Sequence, residues 1–124
     1  MEKFKIKGTM KNLKYKFDLD CKVAIYVPST NEVDKPTDNT EHVKDVIKRL
    51  SLMFGGATAS NAVGGWVTSY GETVIERINI VYSFCTTTQL NDHIEDVIAI
   101  CEQLKRDMKQ EAVTLEVNGQ VKFI

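Results

Sequence analysis

Gly64-Gly65-Trp66-Val67-Thr68-Ser69-Tyr70-Gly71-Glu72-Thr73-Val74-Ile75-Glu76-Arg77-Ile78-Asn79-Ile80-Val81-Tyr82-Ser83-Phe84 is the stretch whose reading decides the fold. Small residues precede the Ser69-to-Glu72 turn signal, and Val, Ile, Tyr and Phe crowd the run after it. That composition predicts a glycine-rich strand, a tight turn and a long returning strand. Just upstream, Phe54-Gly55-Gly56 ends a helix-like segment, because glycine takes the left-handed cap conformation at little cost.

Working outward, Val43, Val46, Ile47, Leu50, Met53 and Phe54 recur at helical spacing, with Asn39 or Thr40 as the cap. After Phe84, the hydroxyls of Thr86-Thr87-Thr88 cap a longer helix with an apolar stripe of Leu90, Ile94, Val97, Ile98, Cys101, Leu104 and Met108. Val113, Leu115 and Val117 alternate, and Asn118-Gly119 is a two-residue hairpin signal that returns Val121 and Phe123. Val23, Ile25 and Val27 make an earlier strand. The segment 28–39, with both prolines and many Asn, Asp, Ser and Thr, predicts an exposed loop long enough to act as a lid.

From residue 22 onward the order is strand, helix, strand, strand, helix, strand. This predicts an α+β fold of the ferredoxin-like βαββαβ kind, an antiparallel sheet with two helices on one face. The alternation of Phe4 and Ile6, then Leu13 to Leu19, with lysines predicts a preceding β-hairpin. One domain is expected over 1–124, with 1–21 as the basic hairpin and 22–124 as the core.

A chain of 124 residues, 43% hydrophobic and 27% charged, has the composition of an ordinary globular protein. It has no apolar run of spanning length and no signal segment, so the cytoplasm is expected and a membrane partner is not. Cys21, Cys85 and Cys101 are odd in number and lack metal-type spacing, which favours buried thiols. Net charge is -1, yet residues 1–22 hold seven lysines against three acids. That edge either binds an anion or is kept soluble by its lysines. A nucleic-acid polymer is disfavoured, since the chain is not basic overall.

Two helices cover one side of such a sheet, which leaves the other for a ligand or a partner. Taking Ser69 opposite Glu72 puts Trp66 opposite Ile75 and Gly64 opposite Arg77 on the uncovered face, with Asn79. Val74, Ile78, Ile80, Tyr82 and Phe84 then fall beneath the helices. Trp66, Arg77, Asn79 and Tyr26 around the small Gly64 and Gly65 form a candidate binding site for a flat, anionic, nucleotide-like molecule. An indole stacks on a base and a guanidinium forks onto phosphate. Trp66 filling a homo-oligomer interface, with Arg77 paired to a carboxylate such as Glu76, is the competing explanation. Self-association is expected in either case.

No Ser-His-Asp order, carboxylate pair or phosphate-cradling glycine motif is present, and no cofactor or metal is implied. His42 and His93 lie near helix starts, flanked by acids, as solvated histidines do. Gln110 and Glu111 could reach the sheet edge where ligands enter.

The segment 54–124 resembles a family of small uncharacterised bacterial and phage domains. The features it shares are the Phe54-Gly55 helix exit, Val63-Gly64-Gly65-Trp66, a strand bearing Glu76, and Gln110-Glu111-Ala112-Val113 after the long helix. In size and plan the chain is also similar to phage proteins that sequester nucleotide immune signals, such as the cyclic ADP-ribose messengers of Thoeris defence. That resemblance implies a non-enzymatic, oligomeric anti-defence sponge in the host cytoplasm. The alternatives are a small dimeric ferredoxin-like enzyme, with a buried, strongly shifted His93 or Glu76, or a protein-interaction module.

Overall fold

The computed structural model describes residues 15–31 and 35–124. Its central strand is β1 (Cys21–Pro28), where Cys21, Val23, Ile25 and Val27 alternate onto one buried face. Two further pairs of residues form a small ribbon, β2 (Thr30–Asn31) and β3 (Lys35–Pro36). Then come α1 (Thr40–Phe54), β4 (Thr58–Val67), β5 (Thr73–Cys85), α2 (Thr87–Asp107), β6 (Thr114–Val117) and β7 (Gln120–Phe123). The main sheet runs β4-β5-β1-β6-β7 with every neighbour antiparallel. Set β7 aside and this is the ferredoxin-like strand order, with β7 a hairpin extension at one edge. The expected hairpin over 1–21 falls largely outside the described residues, and residues 15–20 form no strand.

Local chemistry explains where each helix stops and starts. Gly55 takes φ 91° and its N–H donates to Ser51 O at 2.8 Å, a left-handed cap that a side chain would strain. Thr86 opens α2 with a capping box, its hydroxyl accepting from Gln89 N–H at 3.1 Å while Gln89 Oε1 accepts from Thr86 N–H at 2.9 Å. Between β6 and β7, Asn118 and Gly119 both adopt positive φ, as the two-residue hairpin turn requires.

Helices α1 and α2 lie on one face of the sheet, α1 against β5 and α2 against β1 and β6. Val46, Leu50 and Phe54 from α1 and Val97, Ile100, Cys101 and Leu104 from α2 meet Val23, Ile25, Val27, Val81, Cys85, Val113 and Leu115 in the core. The three cysteines are buried free thiols. Burial pushes the Cys85 thiol up to about 11 and the Cys101 thiol up to about 12.

One expectation about this core is reversed. Val81, Ser83 and Cys85 are the β5 residues beneath the helices, while Phe84 on the other parity is half exposed. Val74, Ile78, Ile80, Tyr82 and Phe84 therefore face away from the helices. Apolar residues occupy both parities of β5, so its own pattern does not say which side is covered. Ser83 reads as a surface residue, yet it is 2% exposed beneath the helices, where its hydroxyl is satisfied by donating to Gly56 O at 2.6 Å.

Candidate functional site

The β4–β5 ribbon reaches past the point where β1 stops. β1 pairs with β5 from Cys21↔Cys85 to Pro28↔Ile78, whereas β4 follows β5 as far as Val67↔Thr73. Residues 73–77 of β5 thus keep one edge without a strand neighbour. Residues 28–31 and 35–39 stand opposite that edge, held at three points. Ser29 Oγ donates to Arg77 O, Gln110 Nε2 donates to Thr30 O at 2.9 Å, and Asn39 Nδ2 donates to Asn79 Oδ1 at 2.9 Å and, within the segment, to Pro28 O at 3.0 Å. Thr37 N–H closes the segment on itself through Ser29 O at 2.8 Å. Gln110, expected near the ligand entrance, is the anchor of this wall.

Two cavities open along the edge. One, of about 590 Å³, is bordered by Trp66, Thr68, Val74, Ile75, Glu76 and Arg77 on the ribbon and by Ser29, Thr30, Pro36 and Thr37 opposite. The second, of about 550 Å³, lies beside Asp38, Asn39, Asn61 and Asn79 and shares Ser29, Thr37 and Arg77 with the first. Each has the volume of a small-ligand site. The second contains a chain of amides, in which Asn39 Nδ2 donates to Asn79 Oδ1 at 2.9 Å and Asn79 Nδ2 donates to Asn61 Oδ1 at 2.8 Å. Asn39 spends its side chain in this way and leaves helix α1 without a side-chain cap bond. The Thr40 hydroxyl and N–H both donate to Asp38 Oδ1 and hold that carboxyl below its usual range, so it is ionised at neutral pH.

The sequence-predicted residues divide between the two faces. The observed register is Trp66↔Val74, Gly64↔Glu76, Gly65↔Ile75 and Val63↔Arg77, one residue from the expected pairing. A slip of one turns every side chain over. Trp66, Gly64 and Tyr26 stand on the face away from the helices, and Arg77, Asn79 and Gly65 on the other. The single face expected to carry Trp66, Arg77 and Asn79 together does not exist. Trp66 and Arg77 instead meet at the strand edge, in one cavity.

The turn explains the slip. Thr68 N–H donates to Glu72 O at 2.8 Å, and the Thr68 hydroxyl accepts from Glu72 N–H at 3.1 Å, which closes a loop of five residues where the sequence suggested four. Thr68 followed by Ser69 and Gly71 was the available signal, a hydroxyl able to bond the backbone of its own turn. Asp38 and Asn39 were missed because loop and cap residues of these types are usually solvated, and Asn61 because a lone amide in a strand of small residues reads as an exposed position.

On the uncovered face Tyr26 donates to Glu116 Oε1 at 2.8 Å, and that carboxylate, with some burial, raises the phenol above its ordinary value. Lys22 Nζ lies 4.7 Å from the Tyr82 ring centre, and Phe84 meets Tyr82 edge-on at 5.7 Å. Tyr26 borders neither edge cavity. His93 packs edge-on against Phe54 at 5.8 Å, and neither it nor Glu76 is buried. Among the described residues no helix is long and apolar enough to cross a membrane, and no three His, Cys, Asp or Glu side chains are grouped to hold a metal.

No protein-family model matches the chain, and no curated protein matches it in sequence. Solved structures do. It is similar to a phage SAM lyase in complex with S-methyl-5'-thioadenosine, with TM-score 0.62 and 22% identity over 90% of this chain and 95% of that one. It is likewise similar to a phage SAM lyase in the apo state, with TM-score 0.65 and 23% identity over 90% of this chain and 94% of that one. Likeness at this identity establishes a shared fold, one that a phage enzyme uses with a small nucleoside bound. The expected non-enzymatic sponge is corrected by it, and so is the leaning against enzymatic activity, since both of these similar structures are of a lyase.

Proposed function

We propose that this chain is a small enzyme that cleaves S-adenosylmethionine, with the edge cavity of Trp66 and Glu76 as its nucleoside site. The observation that carries the reading is the content of that cavity: the indole of Trp66, the carboxylate of Glu76, Arg77 at its border, and walls that mix Pro36, Val74 and Ile75 with the hydroxyls of Ser29, Thr30, Thr37 and Thr68, in about 590 Å³. Adenine offers a flat π-face to Trp66, a contact worth about 1–3 kcal/mol. Glu76 supplies the negative charge that a sulfonium attracts and an acceptor for ribose hydroxyls. The bound thioadenosine of the structural neighbour supports the same ligand class.

In a lyase reaction of this substrate the sulfur takes the bonding pair of one C–S bond and leaves as the neutral thioether of methylthioadenosine. No water is added, so the vacated carbon must be satisfied from within the departing amino-acid fragment. The protein's part is to exclude water, hold the fragment in one conformation and keep a carboxylate near the charge that is lost. Removing the methyl donor in this way would starve methylation reactions in the cytoplasm, where S-adenosylmethionine is made. A phage would use that against methylation-dependent host defences.

The reading retains self-association. Phe84 beside Tyr82 on β5, and Val121 and Phe123 on the edge strand β7, stand exposed on the uncovered face, apolar side chains that a second copy would cover.

The deciding experiment is incubation of the purified chain with S-adenosylmethionine and mass-spectrometric detection of methylthioadenosine. Accumulating product, lowered about 100-fold or more in Glu76→Gln, is expected. Substrate recovered intact after binding would overturn the reading.

A further inference from the structure

Two cavities that share a wall suit a ligand with two unlike ends. Resting on the reading above, we infer that they form one bipartite site, with the nucleoside beside Trp66 and Glu76 and the α-amino-carboxylate end beside Asp38, Asn39, Asn61 and Asn79. Arg77 borders both cavities. Among the described residues its guanidinium has no ion-pair partner, while its carbonyl is fixed by Ser29. A planar fork of donors at that boundary fits a carboxylate and would meet it bidentately.

The opposite charge is also provided. An amino-acid head at neutral pH carries an ammonium as well as a carboxylate, so its cavity needs an anion. Asp38 borders that cavity and is ionised, since the Thr40 hydroxyl and N–H both donate to its Oδ1 and favour the charged form, leaving Oδ2 without a bond from Thr40. The amide chain Asn39–Asn79–Asn61 fixes the floor, since each internal bond sets which end of the next side chain points outward. A nucleotide phosphate would find Arg77 here but would meet the Asp38 carboxylate as well, and that like charge argues against it. Arg77 and Asp38 are thereby assigned to selecting an amino-acid-bearing nucleoside over a bare one.

The test uses two stable probes by calorimetry on the full chain. Methylthioadenosine has the nucleoside and no head, and S-adenosylhomocysteine has both and carries no sulfonium. Wild type is expected to bind S-adenosylhomocysteine the more tightly. Arg77→Ala is expected to lose about tenfold or more of that affinity while methylthioadenosine binding stays within about twofold. Asp38→Asn, which keeps an oxygen for Thr40, is expected to show the same selective loss, and unchanged nucleoside binding proves each variant folded. Equal weakening of both probes in the variants, or equal affinity of wild type for both, would overturn the bipartite assignment and leave the nucleoside site standing. Failure of wild type to bind either probe would overturn both.

Discussion

Trp66 and Arg77 project from opposite faces of the β4–β5 ribbon and still border one cavity, because that cavity lies at the edge of β5. A strand edge is the one place where residues of both parities reach the same volume. β1 ends its pairing at Pro28↔Ile78, and this leaves the edge open.

The indole, 45% exposed, is the only tryptophan in the chain, so its fluorescence reports the cavity directly. Methylthioadenosine is expected to quench it in a saturable way. Trp66→Ala is expected to weaken nucleoside binding by about 5- to 150-fold in calorimetry, the worth of one stacking contact. Saturable nucleoside binding with no change in tryptophan emission would place the ligand elsewhere.

The paired glycines make opposite predictions. A Cβ on Gly65 would stand 3.1 Å from the backbone oxygen of Val74, whereas one on Gly64 meets nothing within 4 Å. Gly65→Ala is expected to cost about 1 kcal/mol of stability. Gly64→Ala should be neutral or stabilising by up to about 1 kcal/mol, since it only restricts the unfolded chain. Urea unfolding of the two variants checks the order.

Buried thiols tie stability to alkaline pH. Cys85 and Cys101 titrate near 11 and 12 in the fold and near 9 when exposed. Above pH 9 the unfolded chain sheds protons that the folded chain retains, so stability is full below that pH and falls as pH rises toward 11–12. The slope contributed approaches about 1.4 kcal/mol per pH unit for each thiol. Denaturant midpoints between pH 8 and 10.5 should fall more steeply for wild type than for Cys85→Ala or Cys101→Ala. Native thiols should also resist alkylation at pH 8 until the protein is unfolded.

Sedimentation at micromolar concentration is expected to show more than one copy, with Phe84→Asp or Phe123→Asp moving the distribution toward monomer while the melting temperature holds. Phe123 is 75% exposed, so charge there disturbs little within one chain. A monomeric wild type would leave the uncovered face to solvent or to another protein.

Periodicity and punctuation in the sequence determined the elements. Helical spacing from Val43 to Phe54, the Gly55 stop, the Thr86 cap and the Asn118-Gly119 turn each act over a few residues, and together they dictate the α+β order. Local chemistry cannot choose between the two faces of β5, because Ile78, Ile80, Tyr82 and Phe84 on one parity are as apolar as Val81 and Cys85 on the other. Helix packing made that choice, burying Ser83 and exposing Phe84. A single hydroxyl, Thr68, set the register by lengthening the turn. The site itself exists only in three dimensions: Ser29 and Asn39, Asn61, and Arg77 come from three separate stretches of the chain, and only the open edge of β5 brings them together.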